Sequence, residues 1–137
     1  MHNKINIIRW FLVIPSAFIG WYCAVFIGLL LYSVAESLCP PELIVSGMCT
    51  ASWSAPVKNG IIIFGASISA ILVLLFSVFI APGKRKLVAK VIYFGGVAFA
   101  LYAVYFSNAW WAFISAIISG ALFLLLLLRH LNGKNSA

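Results

Sequence analysis

The chain has 137 residues, of which 65% are hydrophobic and 8% charged, and its formal charge is +7. Soluble globular domains are about 45–50% apolar and about 25% charged, so a water-soluble fold of this length would lack the charges to cover its surface. The basic residues lie between long apolar runs rather than along one polar face, which points to anionic lipid headgroups as their partners and away from nucleic acid.

An α-helix rises about 1.5 Å per residue, so about 20 apolar residues cross a hydrocarbon core of about 30 Å. The first such segment, residues 10–33, is 24 residues without a charge and follows Lys4 and Arg9. Ser33-Val34-Ala35 resembles a signal-cleavage site, but signal h-regions run about 7–15 residues, so the segment reads as a retained span. Pro15 removes one backbone hydrogen bond inside it and predicts a kink. Ser16, Gly20, Ala24 and Gly28 recur every four residues on one face. In lipid, burial no longer drives helices together, and small residues that admit a neighbouring backbone take over that role. Cys23 is expected free and buried. Trp21 and Tyr22 fall mid-span, where Tyr22 is expected to find a hydrogen-bond partner in the bundle or to line a cavity for a lipid-like or quinone-like ligand.

Residues 34–58 form the expected outside loop. It holds Cys39 and Cys49, on the side expected to be oxidising, and both acidic residues, Glu36 and Glu42. A structural Cys39–Cys49 disulfide is the economical pairing. A redox-active pair would bring a Cys-x-x-Cys spacing that tunes one thiol, and this spacing differs. Pro40-Pro41 stiffens the loop, and Glu42 to Met48 reads as a short interfacial helix.

The second segment, residues 59–81, has no charge and carries a small-residue strip at Gly65 and Ser69, with Ala66 and Ala70 beside them. Pro82-Gly83 ends it. Lys84, Arg85, Lys86 and Lys90 make the densest basic cluster, expected at lipid headgroups in a turn over residues 82–90. The third segment, residues 87–106, carries Gly96, Ala100 and Ala103. Ser107-Asn108 is a break so short that the fourth segment, residues 109–128, must fold back antiparallel. Ala112, Ala116 and Gly120, flanked by Ser115 and Ser119, form its small face. Barrel strands would alternate polar and apolar residues, and Leu122 to Leu128 does not.

Four spans put both tails and the 82–90 turn on one side. That side holds Lys4, Arg9, Lys84, Arg85, Lys86, Lys90, Arg129 and Lys134, against Lys58 alone on the other. Cytoplasmic segments carry the excess of Lys and Arg, so both termini are expected inside, in a bacterial inner membrane. Trp10 and Tyr93 at one set of ends, and Trp53, Tyr105, Trp110 and Trp111 at the other, fit interfacial aromatic belts.

The expected architecture is therefore an all-α, four-transmembrane-helix bundle, N-in and C-in, with one longer extracytoplasmic loop between the first two helices. No carboxylate or imidazole falls near mid-span, and general acid–base or nucleophilic chemistry needs such a group in position. No cofactor or metal is expected: His2 and His130 stand apart from each other and from the loop cysteines. The leading expectation is a non-enzymatic accessory or scaffold subunit working through helix–helix and outer-loop contacts with a membrane-protein partner or a second copy. The second is a small transporter or holin-like pore, whose polar lining would have to come from Ser16, Ser67, Ser69, Ser77, Ser115 and Ser119. A lipid-active enzyme using Glu36, Glu42 and Lys58 is the third.

Overall fold

A computed structural model describes the backbone of residues 2–81 and 83–133, with side chains described for the same residues except 2–7, 9 and 133. The side chains of His2, Lys4 and Arg9, and all of Pro82, Lys134 and Ser136, lie outside the described residues.

Four helices account for most of the chain: α1 (His2–Ser37), α2 (Ser54–Ile80), α3 (Arg85–Ser107) and α4 (Trp110–Gly133). Each contains a stretch long and apolar enough to cross a membrane, at Trp10–Ser37, Ser54–Ile80, Arg85–Ser107 and Trp110–Asn132. The helices outrun the spans expected from apolar length. A helix stops where its backbone bonding is interrupted, and loss of hydrophobicity alone does not interrupt it. Lys and Arg are good helix formers, so Arg85, Lys86 and Lys90 lie inside α3. The connection after α1 accordingly shrinks to residues 38–53. Pro15 sits inside α1, which continues as α-helix on both sides of it.

The helix ends have local causes. Asn108 closes α3 in the left-handed conformation (φ 55°), its N–H donating to the Val104 carbonyl; asparagine tolerates that region better than most residues. Its Oδ1 then accepts from the Trp110 indole N–H at 2.8 Å, which starts α4 two residues later. Lys84 adopts the same left-handed region (φ 48°) just before α3.

The expected short helix at Glu42 to Met48 is replaced by a different structure. A 3-10 turn at Pro41–Leu43 leads into a two-stranded antiparallel hairpin, β1 (Ile44–Val45) and β2 (Met48–Cys49), pairing Ile44 with Cys49 and Val45 with Met48. Ser46 and Gly47 both have positive φ (52° and 79°). That is the type I′ geometry whose twist matches paired strands, and it cannot continue a helix.

Side-chain contacts fix the helix order and direction. Gly20 of α1 lies against Leu72 and Val73 of α2, and Glu36 pairs with Lys58, so α1 and α2 run antiparallel. Ser115 and Ser119 of α4 donate to the carbonyls of Ile63 and Ser67 of α2, both at 3.3 Å, so α2 and α4 run parallel. The Tyr93 hydroxyl donates to the Ile117 carbonyl, and Lys86 hydrogen-bonds Asn132, which sets α3 antiparallel to α4. Helix α2 is central: α1 packs extensively on it alone, while α3 and α4 touch both it and each other.

One end of the bundle thus gathers the start of α1, the end of α2, the start of α3 and the end of α4; this basic end carries Lys84, Arg85, Lys86, Lys90 and Arg129. The opposite, hairpin end carries Glu36, Glu42 and Lys58.

Candidate functional site: an apolar groove between α1 and α3

Because α1 rests mainly on α2, it leaves a long opening beside α3. The opening is a groove of about 1050 Å³ with walls from all four helices. From α1 come Ile14, Phe18, Trp21, Tyr22, Leu29 and Tyr32; from α2, Ile62, Gly65, Ala66, Ser69 and Leu74; from α3, Val91, Gly95, Gly96, Phe99 and Ser107; from α4, Ala112, Phe113 and Ala116. Among the described residues the lining holds no Asp, Glu, His, Lys or Arg; its polar atoms belong to hydroxyls, an indole and the backbone.

The groove is a wedge. At the basic end Val13 of α1, Ala81 after α2 and Val88 of α3 form a buried cluster, with Ile92 packed on it, and this closes the gap. Toward the hairpin end the gap widens: along the α2 wall, exposure rises from 2% at Leu74 to 55% at Ile62.

The small residues fall into two sets. Ser16 and Ala24 are buried at 1% and 2%, and Gly20 lies between them against α2. Gly120 of α4 is likewise in contact: a Cβ there would meet the Tyr93 ring at 3.1 Å and Ala70 at 3.4 Å. Gly28, Gly65, Gly95 and Gly96 differ, since a Cβ on any of them meets no protein atom within 4 Å. They line the groove with Ser69, Ala100, Ala112 and Ala116. Spacing along one helix does not distinguish the two sets, because both have the same residue types at the same period.

The serines named as a polar lining mostly face elsewhere. Ser16 donates to the Val13 carbonyl at 2.7 Å, and Ser67 to the Ile63 carbonyl at 3.0 Å. Ser115 and Ser119 each also lie within hydrogen-bond reach of a carbonyl one turn back in α4, at 2.8 and 3.2 Å, so each shares its single hydroxyl proton between α2 and its own helix. Ser77 is fully buried, and the α1–α2 register puts it opposite Ser16. Ser69 alone of the six lines the groove.

One expectation for α1 is corrected and another is decided. Cys23 is a free thiol, but it is exposed rather than buried. Tyr22 is 64% exposed, its ring edge-on to Trp21 at 5.1 Å, so of its two expected places it takes the cavity wall and not the enclosed packing position. Both follow from one cause: a helix with a single main neighbour buries only the face toward that neighbour.

The hairpin end is tightly built. Cys39 and Cys49 are disulfide-bonded, Cα–Cα 5.9 Å, and buried with Ala51 beneath Trp53. Lys58 Nζ lies 2.6 Å from Glu36 Oε1, while Glu36 Oε2 accepts the Cys49 backbone N–H at 3.2 Å. One carboxylate therefore joins α1, α2 and the hairpin. Lys58 Nζ also sits 5.3 Å from the centre of the Tyr32 ring, on the groove wall. Leu38, Val45 and Met48 remain exposed on the loop surface. The sequence groups Glu36, Glu42 and Lys58 only as residues of one outer end; the α1–α2 register is what pairs Glu36 with Lys58.

The fold and groove define a class: a four-helix chain with helices long and apolar enough to cross a membrane and an apolar cleft open between α1 and α3. The chain matches no protein-family model, no curated protein and no solved structure.

Proposed function

We propose that this is a non-enzymatic, multi-pass membrane protein, an accessory or scaffold element that receives an apolar component of the bilayer in the groove between α1 and α3. The observation carrying this reading is that Gly28, Gly65, Gly95 and Gly96 face the groove with no protein atom near a would-be Cβ. Small residues in lipid are useful where something must approach the backbone closely, and within this chain nothing approaches these four.

A conducting path is less well supported, because the hydroxyls of Ser67, Ser115 and Ser119 are bonded to helix carbonyls. Lipid-modifying chemistry fares similarly, since Glu36 and Lys58 are bound to each other. The excess of Lys and Arg at the basic end favours an orientation with both termini in the cytoplasm, the hairpin outside, and Lys84, Arg85, Lys86 and Lys90 among anionic headgroups. A bacterial inner membrane fits that arrangement.

The test is to extract the protein in native-lipid discs and measure the mass of the intact assembly. A defined non-covalent companion is expected on the wild-type chain, and its loss from the Gly65→Leu, Gly96→Leu double variant, which fills the groove. A bare chain under both conditions would defeat the reading.

A further inference from the structure

We infer that the groove is a site for a zwitterionic phospholipid, its acyl chains along the apolar walls and its headgroup at the Glu36–Lys58 pair. This rests on the groove being the working surface, and it commits that surface to one occupant.

Shape comes first. The α1 wall runs from Ile14 to Tyr32, roughly 27 Å of helix. The groove tapers and is closed at one end by Val13, Ala81 and Val88; flexible acyl chains fill an irregular apolar slot of that shape, whereas a rigid helix keeps a constant section.

Direction comes next. The groove is shut at the basic end by Val13, Ala81 and Val88 and widens toward Ile62. A headgroup therefore belongs at the hairpin end, and the Lys84–Lys90 cluster lies at the closed end, away from it.

Charge selects the headgroup. The wide mouth is lined by Tyr32 and Ser107, whose hydroxyls suit a polar head. Beside Tyr32 stand one cation and one anion, Lys58 and Glu36, held 2.6 Å apart and each 23% exposed. Their sum is zero, so a purely anionic head gains at Lys58 what it loses at Glu36. A zwitterion complements both: phosphate toward Lys58, ammonium toward Glu36. Lys58 has donors to spare, because an ammonium has three; on Glu36, Oε1 is buried against Lys58, and Oε2, which accepts the Cys49 N–H, offers the second acceptor position.

The experiment uses the purified full chain in discs containing a trace of phosphatidylethanolamine or phosphatidylglycerol, each with the same photoactivatable acyl chain. Cross-links are mapped by mass spectrometry. The expected result is labelling around Tyr22 and Phe99 that favours phosphatidylethanolamine by roughly five- to tenfold, the scale of one or two charge-assisted hydrogen bonds in a part-exposed site. The Glu36→Gln, Lys58→Gln double variant should keep the labelling and lose the preference; the retained labelling reports an intact groove. Equal labelling of the wild type by both lipids, or a preference unchanged in the double variant, overturns the headgroup assignment and leaves the groove reading standing. Cross-links from groove residues to a second copy or another polypeptide overturn the lipid assignment. Absence of any groove labelling, unaltered by Gly65→Leu with Gly96→Leu, overturns both.

Discussion

Gly20 lies so close to Leu72 that a Cβ on the glycine would stand 2.9 Å from the leucine carbonyl oxygen and 3.0 Å from its carbonyl carbon. The obstacle is backbone, which cannot rotate aside. Gly20→Ala should therefore force α1 away from α2 and cost about 1–3 kcal/mol, the range for overpacking a tight contact. Gly28→Ala, on the same face but with no protein atom within 4 Å, should be neutral or stabilise by up to about 1 kcal/mol, since glycine is a poor helix residue. Unfolding of the two variants in mixed micelles decides this; equal effects would contradict the α1–α2 register.

The α2–α4 contact depends on Ser115 and Ser119 reaching the Ile63 and Ser67 carbonyls. Interhelical hydrogen bonds of this kind average about 0.6 kcal/mol in a membrane. The Ser115→Ala, Ser119→Ala pair should lower stability by about 1 kcal/mol while groove labelling persists. A loss of several kcal/mol in the same micelle assay would mean these hydroxyls carry more of the fold than their geometry implies.

The Cys39–Cys49 bond closes a short loop and, in the chain-entropy model, stabilises it by about 3 kcal/mol. Both cysteines are buried, so reduction should be slow in the folded chain. The Cys39→Ser, Cys49→Ser variant should expose the hairpin to limited proteolysis near Gly47 with α1 to α4 still protected. Cleavage that spreads at once into the helices would show the loop to be part of the core.

Orientation is open to a direct check. A thiol placed at Ser136 should react with a membrane-impermeant maleimide only after the cell is opened, because the Lys and Arg excess lies on that side. Native Cys23 is an exposed thiol within the apolar stretch of α1, so the assay uses a Cys23→Ser background. Labelling at Ser136→Cys from outside intact cells would reverse the assigned sidedness.

In the hairpin, two local signals in the sequence compete. Ser46-Gly47 between two apolar pairs is a turn dipeptide, yet Glu42 to Met48 has enough helix-compatible residues to suggest a helix instead. The chirality of the two central residues, both at positive φ, decided the outcome. Cys39 and Cys49 were legible because two cysteines in one loop have few alternatives, and the 5.9 Å Cα separation accommodates their bond.

Composition and apolar run length were enough to specify four helices fit for a bilayer, since the energy of placing a residue in hydrocarbon depends on that residue and its immediate run, both written in the chain. Which small residues are packed and which line the groove was settled only in three dimensions: Gly20 and Gly28 are the same residue at the same spacing, and they differ because α2 passes against one and away from the other. The same holds for Glu36 and Lys58, separated by a whole loop and joined by the antiparallel register of α1 and α2. Contacts between helices depend on relative position and angle, and those come from the sum of many interfaces rather than from any single segment.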